Sequence, residues 1–424
     1  MKPMPIELLA PAGSPEALDA AVAEGADAVY LGLKTFNARL RSANFTYARF
    51  EAALRALRRM GKKVYVTVNT VFEQREADRM YQFLRYLSNM GPDALIVQDL
   101  GVLAMARSQF PGLKLHASTQ MNVASGKGCN ALSRHGVSRV VLARELSLEE
   151  LRSIRAETNV ELEVFVHGAL CIGASGLCLF SSFLGGKSAN RGMCTQACRR
   201  LYQRGGTEGE RLESGYYFSP ADLQLLEHLP ALVDAGANAI KIEGRMKSAE
   251  YVGAVVSAYR LVLDAIAGGG DEEKIGQSIE RGQGILRGDF ARGKTAFYFD
   301  SSVTPYGTLA ETKDGIDWLN PVQDGGTGVS LGKLRRVQGR DGERRGLVGG
   351  NNSANLPPAV GDSIRLHKGD DSARVSHKLQ NVEAVKEGYW LSIPDGFDLG
   401  DRVYLIQTRG LAKRYRAVTS ADAK

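Results

Sequence analysis

The chain has 424 residues, 44% hydrophobic and 24% charged, with 54 Lys and Arg against 47 Asp and Glu for a net charge of +7. That length exceeds a usual single core, and the composition excludes a disordered or low-complexity chain, so two domains are expected. No run approaches the roughly 18 apolar residues of a membrane span, and the opening residues lack the apolar stretch of a secretory signal, which makes the cytoplasm the expected compartment. The basic balance is compatible with a nucleic-acid partner.

Over the first part of the chain, short apolar runs alternate with amphipathic helical patterns. The first predicted strand is Ile6–Leu9, followed by a helix capped by Ser14 with Pro15 at its first position. Ala28–Leu33, Lys63–Asn69, Ala94–Gln98 and Lys114–Ser118 are the next four, with a basic helix near Phe50–Met60 between the first two of these. Arg139–Ala143 is the sixth, and Ser147 with Glu150 forms a capping-box signal for the helix after it. Glu161–Val166 is the seventh. A helix is expected over about Ala221–Ala235, then Ala239–Glu243 as the eighth strand and Tyr251–Ile266 as a strong amphipathic helix. Eight such strand–helix units over about 250 residues have the size of a (β/α)8 TIM-like barrel, and the absence of G-x-G-x-x-G after the first strand lowers the doubly wound alternative.

The expected organisation is a barrel over residues 1–267 with a cysteine-rich loop at 171–200, a connector over 268–327 with a short helical piece, and a small C-terminal β-barrel domain over 328–424. The last shows short runs at Gly332–Val337, Ser363–His367, Tyr389–Ile393 and Arg402–Gln407, punctuated by Gly-Asp turns.

Active sites of such barrels lie at the C-terminal ends of the strands. Those ends carry Asn69, His116, Arg144, His167, Lys241, Glu243 and Arg245. His116, His167 and Glu243 are candidate proton-transfer groups. Asn69, Arg144, Lys241 and Arg245 are candidate substrate-binding groups, with Arg191 beside the cysteine loop.

Four of the five cysteines fall close together, Cys171, Cys178, Cys194 and Cys198, spaced Cys-x6-Cys-x15-Cys-x3-Cys in a Gly/Ser/Asn-rich loop. Only the last pair is as tight as a zinc knuckle, so a [4Fe–4S] cluster and a single zinc both remain open on spacing alone. Cys129 reads as a packing residue. Two basic patches, Lys187–Arg211 and Lys333–Arg345, hold six Lys or Arg each against two acids each, and suit an RNA backbone.

The stretch from Glu163 through His167, Gly168, Cys171, Gly176 and Cys178 to Ser181 resembles the signature of the collagenase-like peptidase family, unassigned-type family thirty-two. Ser188–Cys194, Lys241–Arg245, Glu7–Gly13 and Ala38–Phe45 match it too. The resemblance implies hydroxylation rather than proteolysis: branches modify transfer RNA uridine, ribosomal RNA cytidine or a ubiquinone precursor. It also implies a [4Fe–4S] cluster on the cysteines and, in the RNA branches, prephenate as oxygen donor. Some branches place a cysteine directly after a Ser-x-x-Asp-Leu element, where this chain has Gln224 after Ser219–Leu223. Cys198 is then the implied fourth ligand, as in the branch that hydroxylates a ribosomal RNA cytidine. A peptidase, and an RNA-binding accessory protein with a structural metal, are the alternative expectations. No G-x-S-x-G or H-E-x-x-H element supports the former.

Overall fold

The computed structural model describes residues 6–40, 42–203, 205, 214–287, 293–300, 319, 328–340, 342–349, 357–369, 372–407 and 415–419. Residues 288–292 and most of 301–327 of the expected connector lie outside the described residues, as do Arg204 and Arg211 of the first basic patch.

Eight parallel strands form the barrel: β1 (Glu7–Ala12), β2 (Ala28–Leu31), β3 (Lys63–Val68), β4 (Ala94–Val97), β5 (Leu115–Ala117), β6 (Val137–Val141), β7 (Glu161–Ala169) and β8 (Ala239–Ile242). Each pairs with the next in order. β8 pairs with both β7 and β1, which closes the sheet. Both faces of these strands are covered, so they read as near-continuous apolar runs rather than alternating ones.

Helices wrap the outside: α1 (Pro15–Ala23), α2 (Tyr47–Arg59), α3 (Ala77–Met90), α4 (Leu100–Gln109), α5 (Gly126–Arg134), α6 (Leu148–Glu157), then α7 (Phe180–Gly185) in the cysteine loop, α8 (Leu229–Asp234), α9 (Ala249–Ala267) and α10 (Glu272–Leu286). Their starts follow the sequence signals. Ser14 Oγ accepts from Ala17 N at 3.3 Å, and Ser147 and Glu150 exchange bonds of 3.2 and 2.8 Å in a complete capping box. Such a cap contributes about 1 kcal/mol.

Two expectations change. The helix expected over Ala221–Ala235 is helical only at α8. Asp222–Gln224 instead forms a short strand, antiparallel to the end of β7 and parallel to Lys294–Thr295. β7 runs to Ala169, beyond the barrel wall, and its backbone there needs a partner. Pro230 fits only the first turn of a helix, so α8 starts beside it. The piece expected to be a short helix after Gly270 is the 15-residue α10, capped by Asp271 and packed on α9.

C-terminal to the barrel, seven strands build a separate antiparallel half-barrel sheet: β9 (Val329–Gln338), β10 (Arg345–Gly349), β11 (Ser363–His367), β12 (Arg374–Lys378), β13 (Val382–Val385), β14 (Gly388–Ser392) and β15 (Arg402–Gln407). Their order is β12-β11-β15-β9-β10-β14-β13, around a core that includes Leu331, Leu334, Val348, Ile364, Leu391 and Leu405. The chain then returns to the barrel. Tyr415 Oη donates to Glu24 Oε1 at 3.1 Å, and Val418 N donates to Asp19 Oδ1 on α1 at 2.7 Å. Among the described residues, no helix is long and apolar enough to cross a membrane.

Inside the barrel lies a buried ionic layer. Arg139 reaches Glu7 at 2.6 Å, Glu161 at 2.8 Å and Glu163 at 3.3 Å, while Lys241 reaches Glu163 at 2.8 Å and Tyr65 donates to Glu7 at 2.8 Å. Glu163 is fully buried and Arg139 is 4% exposed, so each charge depends on its partners.

A cationic cleft beside a thiol-lined cavity

The C-terminal ends of the strands open into a cleft of ≈ 710 Å³, counted with the space open to solvent at its mouth. Lys241 and Glu243 lie two residues apart at the end of β8, so both point inward. Asn69, Arg144 and Arg245 join them, as the strand-end reading predicts, and Tyr30, Phe165 and Ile96 supply apolar walls. Close backbone approach brings these elements together. A Cβ on Gly13 would stand 1.7 Å from the Arg245 carbonyl oxygen, so only glycine lets the Lys241–Arg245 segment lie against the end of β1.

Glu243 is the centre of the charge network. Arg39 Nη2 is 3.1 Å from its Oε1, Arg144 Nη2 is 3.7 Å from its Oε2, and the Tyr30 hydroxyl is 3.5 Å from Oε2. Burial acts to raise the carboxyl pKa, but Arg39, Arg144 and Arg245 outweigh it and hold the group at about 2. Glu243 is therefore an anion throughout the physiological range and has no proton to give there.

Arg245 donates to Thr67 Oγ1 at 2.8 Å and to Asn37 Oδ1 at 3.2 Å, both neutral. Burial and then Arg39 bring its pKa down to about 10, so it stays charged at neutral pH. Lys241 is shifted down by burial, against the pull of Glu163. Glu145 is held by the Ser175 backbone N–H at 3.0 Å. The Arg144 Nε and Gln120 Oε1 atoms are buried with no hydrogen-bond partner, polar groups of the kind a bound molecule satisfies.

The other predicted site residues stand elsewhere. Arg191 turns to Glu73 and Glu76, at 3.4 and 3.0 Å, and to the Val71 carbonyl, and lines neither cavity described here. His116, 1% exposed, packs edge-on to Tyr65 inside the barrel, with a ring-centroid distance of 4.8 Å. Burial, then Arg139 and Lys241, push its pKa well below the ordinary value, so it is neutral. His167, also 1% exposed, puts Nδ1 3.4 Å from the Tyr259 hydroxyl on α9, on the helix side of the barrel wall.

The cysteine loop follows β7 directly. Cys171, Cys178, Cys194 and Cys198 all line one cavity of ≈ 1220 Å³, again counted with the space open to solvent, and none forms a disulfide. Three residues, Arg199, Thr195 and Gly176, pin the loop. Arg199 donates to the Leu170 carbonyl at 2.8 Å and to Pro220, the Thr195 N–H donates to Ser181 Oγ at 3.1 Å, and Gly176, at φ +76°, lies where a Cβ would meet the Gln120 carbonyl at 1.9 Å. The Gln196 N–H points at Cys194 Sγ, 3.4 Å away. Burial pushes the Cys198 thiol up to about 11, Arg199 opposes this, and the other three cysteines add to it. Four mutually sensed thiols around one space are a soft, anionic donor set once deprotonated, and fit a thiophilic metal group. They surround the space rather than converge: among the described residues, no three His, Cys, Asp or Glu side chains are gathered closely enough to hold one metal ion.

The two cavities share a border of Ala38, Arg39, Gln120, Leu170, Cys171, Gly176 and Glu243. Arg39 is the functional residue that strand-end reasoning misses, because it sits in the loop after β2. Its signal is the Ala38–Phe45 stretch, which carries part of the family resemblance.

Comparison with known proteins bears on this site. The chain is 38% identical over 266 residues to tRNA hydroxylation protein P1 of Bacillus subtilis, covering 61% of this chain and 63% of that protein. It is 36% identical to an uncharacterized protease of Methanocaldococcus jannaschii, covering 69% of this chain and 73% of that protein. It is 38% identical to the 23S rRNA 5-hydroxycytidine synthase of Escherichia coli, covering 69% of this chain and 42% of that protein. The chain thus spans less than two thirds of the first and third of these relatives. The profile of peptidase family U32 matches residues 13–306, from just after β1 through the cysteine loop and the rest of the barrel to the segment after α10, and the chain belongs to that family.

Proposed function

We propose that this protein is an RNA-modifying enzyme that hydroxylates a pyrimidine base, a ribosomal RNA cytidine or a transfer RNA uridine. In this reading the cationic cleft holds a small anionic oxygen donor such as prephenate, and Cys171, Cys178, Cys194 and Cys198 hold a [4Fe–4S] cluster. The observation that carries it is the shared border: a cleft rich in cations opens onto four thiols through Arg39, Gln120, Cys171 and Glu243. The names of the Bacillus and Escherichia relatives supply the RNA and the hydroxylation. A cluster on the four thiols would supply one-electron redox chemistry at the mouth of the cleft. Thiols spread around a cavity suit that larger group better than a single tetrahedral zinc.

The chain's own residues have definite parts. Arg144, Lys241 and Arg245 attract and orient the anion. Tyr30 and Phe165 offer ring faces along the cleft wall, with Arg144 and Lys241 standing 3.9 and 5.3 Å from the Phe165 centroid. The base enters unpaired, since its ring carbon is out of reach inside a duplex.

Anaerobic purification followed by iron and sulfide analysis tests the cofactor. The expected protein is brown, and Cys171→Ala loses its iron and its visible absorption. Mass spectrometry of ribosomal and transfer RNA from a deletion strain should show one nucleotide lighter by an oxygen atom, restored by the wild-type gene and not by Cys171→Ala. A colourless zinc protein that cleaves peptides and leaves RNA unchanged would overturn the reading.

A further inference from the structure

Arg39 and Glu243 line both cavities, whereas Arg144, Lys241 and Arg245 line only the barrel cleft, and Cys178, Cys194 and Cys198 only the thiol side. The 3.1 Å ion pair between Arg39 and Glu243 therefore forms part of the partition. Glu243 is the largest influence holding the Arg39 guanidinium charged.

The cations of the cleft are not equally occupied. Lys241 has Glu163, and Arg39 and Arg144 share Glu243, while Arg245 hydrogen-bonds to the neutral Thr67 and Asn37 and feels Glu243 only from beyond ion-pair distance. Arg245 is also buried, at 4% exposure. A buried guanidinium with no carboxylate in direct contact is the preferred seat for an incoming one. An anion seated there lies on the barrel side of the partition, and among the described residues Arg39 is the cation that lines both cavities, whereas Arg199 and Lys247 line only the thiol side.

We propose that Arg39 is a positioning residue common to the two cavities: Arg245 takes a carboxylate of the oxygen donor inside the barrel, and Arg39, held by Glu243, fixes the donor's outer end against the group on the thiols. The donor class is then a small molecule with two anionic or strongly polar ends. This rests on the function proposed above and adds a division of labour to it. Arg245 supplies affinity and Arg39 supplies orientation.

The test compares wild type with Arg39→Gln, Arg39→Lys and Arg245→Gln. Each is purified anaerobically, assayed for iron, titrated calorimetrically with prephenate, and examined by electron paramagnetic resonance of the reduced protein with and without prephenate. Arg245→Gln should weaken prephenate binding by about tenfold or more, as loss of a charge-assisted contact does. Arg39→Gln should bind within about threefold of wild type, yet lose the prephenate-induced change in the spectrum and lower kcat by about a hundredfold, the cost of a small misplacement. Arg39→Lys should recover part of both. Iron content should be unchanged in all three, which a merely structural role would not give. The proposal is overturned if Arg39→Gln keeps the spectral change and kcat of wild type, or loses iron together with activity. If wild type itself carries no iron or binds no prephenate, the functional reading fails and this inference with it. That failure shows in the wild type, whereas the failure of Arg39 alone shows only in the variants.

Discussion

One carboxylate answers for two arginines at Glu243, so Glu243→Gln leaves Arg39 and Arg144 repelling each other in a half-enclosed space. The folded carboxyl sits at about 2, against an ordinary value of 4.5. At 1.36 kcal/mol per unit, this depressed pKa contributes about 3 kcal/mol to stability. The contribution is fully present above the unfolded value of 4.5 and is lost as pH falls toward about 2. Glu243→Gln should therefore melt well below wild type at pH 7, with the gap closing in acid. Thermal denaturation from pH 7 down to pH 3 checks it, and a gap independent of pH would contradict the charge argument. Sequence alone places Glu243 at a strand end. It does not show that three arginines keep it ionised, because one of them, Arg39, comes from a loop some 200 residues away.

Among the elements, β9 carries the clearest sign of a polyanionic partner. Lys333, Arg335 and Arg336 on it and Arg340 just past its end are exposed, and a register shift between Leu334 and Arg336 interrupts the alternation that would bury one of the two adjacent arginines. Arg344 and Arg345 are spoken for by Asp398 and Glu383, both at 2.6 Å, and Arg336 meets Glu387 at 3.4 Å. Among the described residues, no ion pair joins Lys333, Arg335 or Arg340 to an acid. If RNA lies along this strand, replacing all four with Gln should weaken binding and flatten the dependence of log K on log salt by about 2 to 3. Filter binding across a salt series measures it, and an unchanged slope would remove β9 from the interface. Elements were legible where burial wrote a pattern. β10 has two glycines in five residues and β12 is mostly exposed, so neither shows the apolar alternation that marks β11 or the apolar run that marks β15. His167 was misleading for a related reason. Counting by twos from Phe165 points it inward, but a bulge pairs it with Ile242, which faces the helices.

For the whole molecule, the eight-strand barrel was readable because each strand is an apolar run with a polar end, and the cysteine loop because its spacing is rare. What the sequence concealed is the ionic layer inside the barrel, whose members come from β1, β3, β6, β7 and β8. Arg139→Met keeps the bulk but leaves Glu7 and Glu163 short of a partner, and should cost about 3–5 kcal/mol. Urea denaturation with an unchanged m-value checks this, and a loss below about 1 kcal/mol would mean that water enters the barrel. The return of the chain at Tyr415 and Val418 has a different kind of consequence. In sequence the half-barrel sheet lies between two attachments to the barrel chain: Leu319 bridges Pro220 before it, and Tyr415 and Val418 bond to Glu24 and Asp19 after it. A module tethered at both ends cannot be shed by a single cut in the chain, because either flank alone still ties it to the barrel.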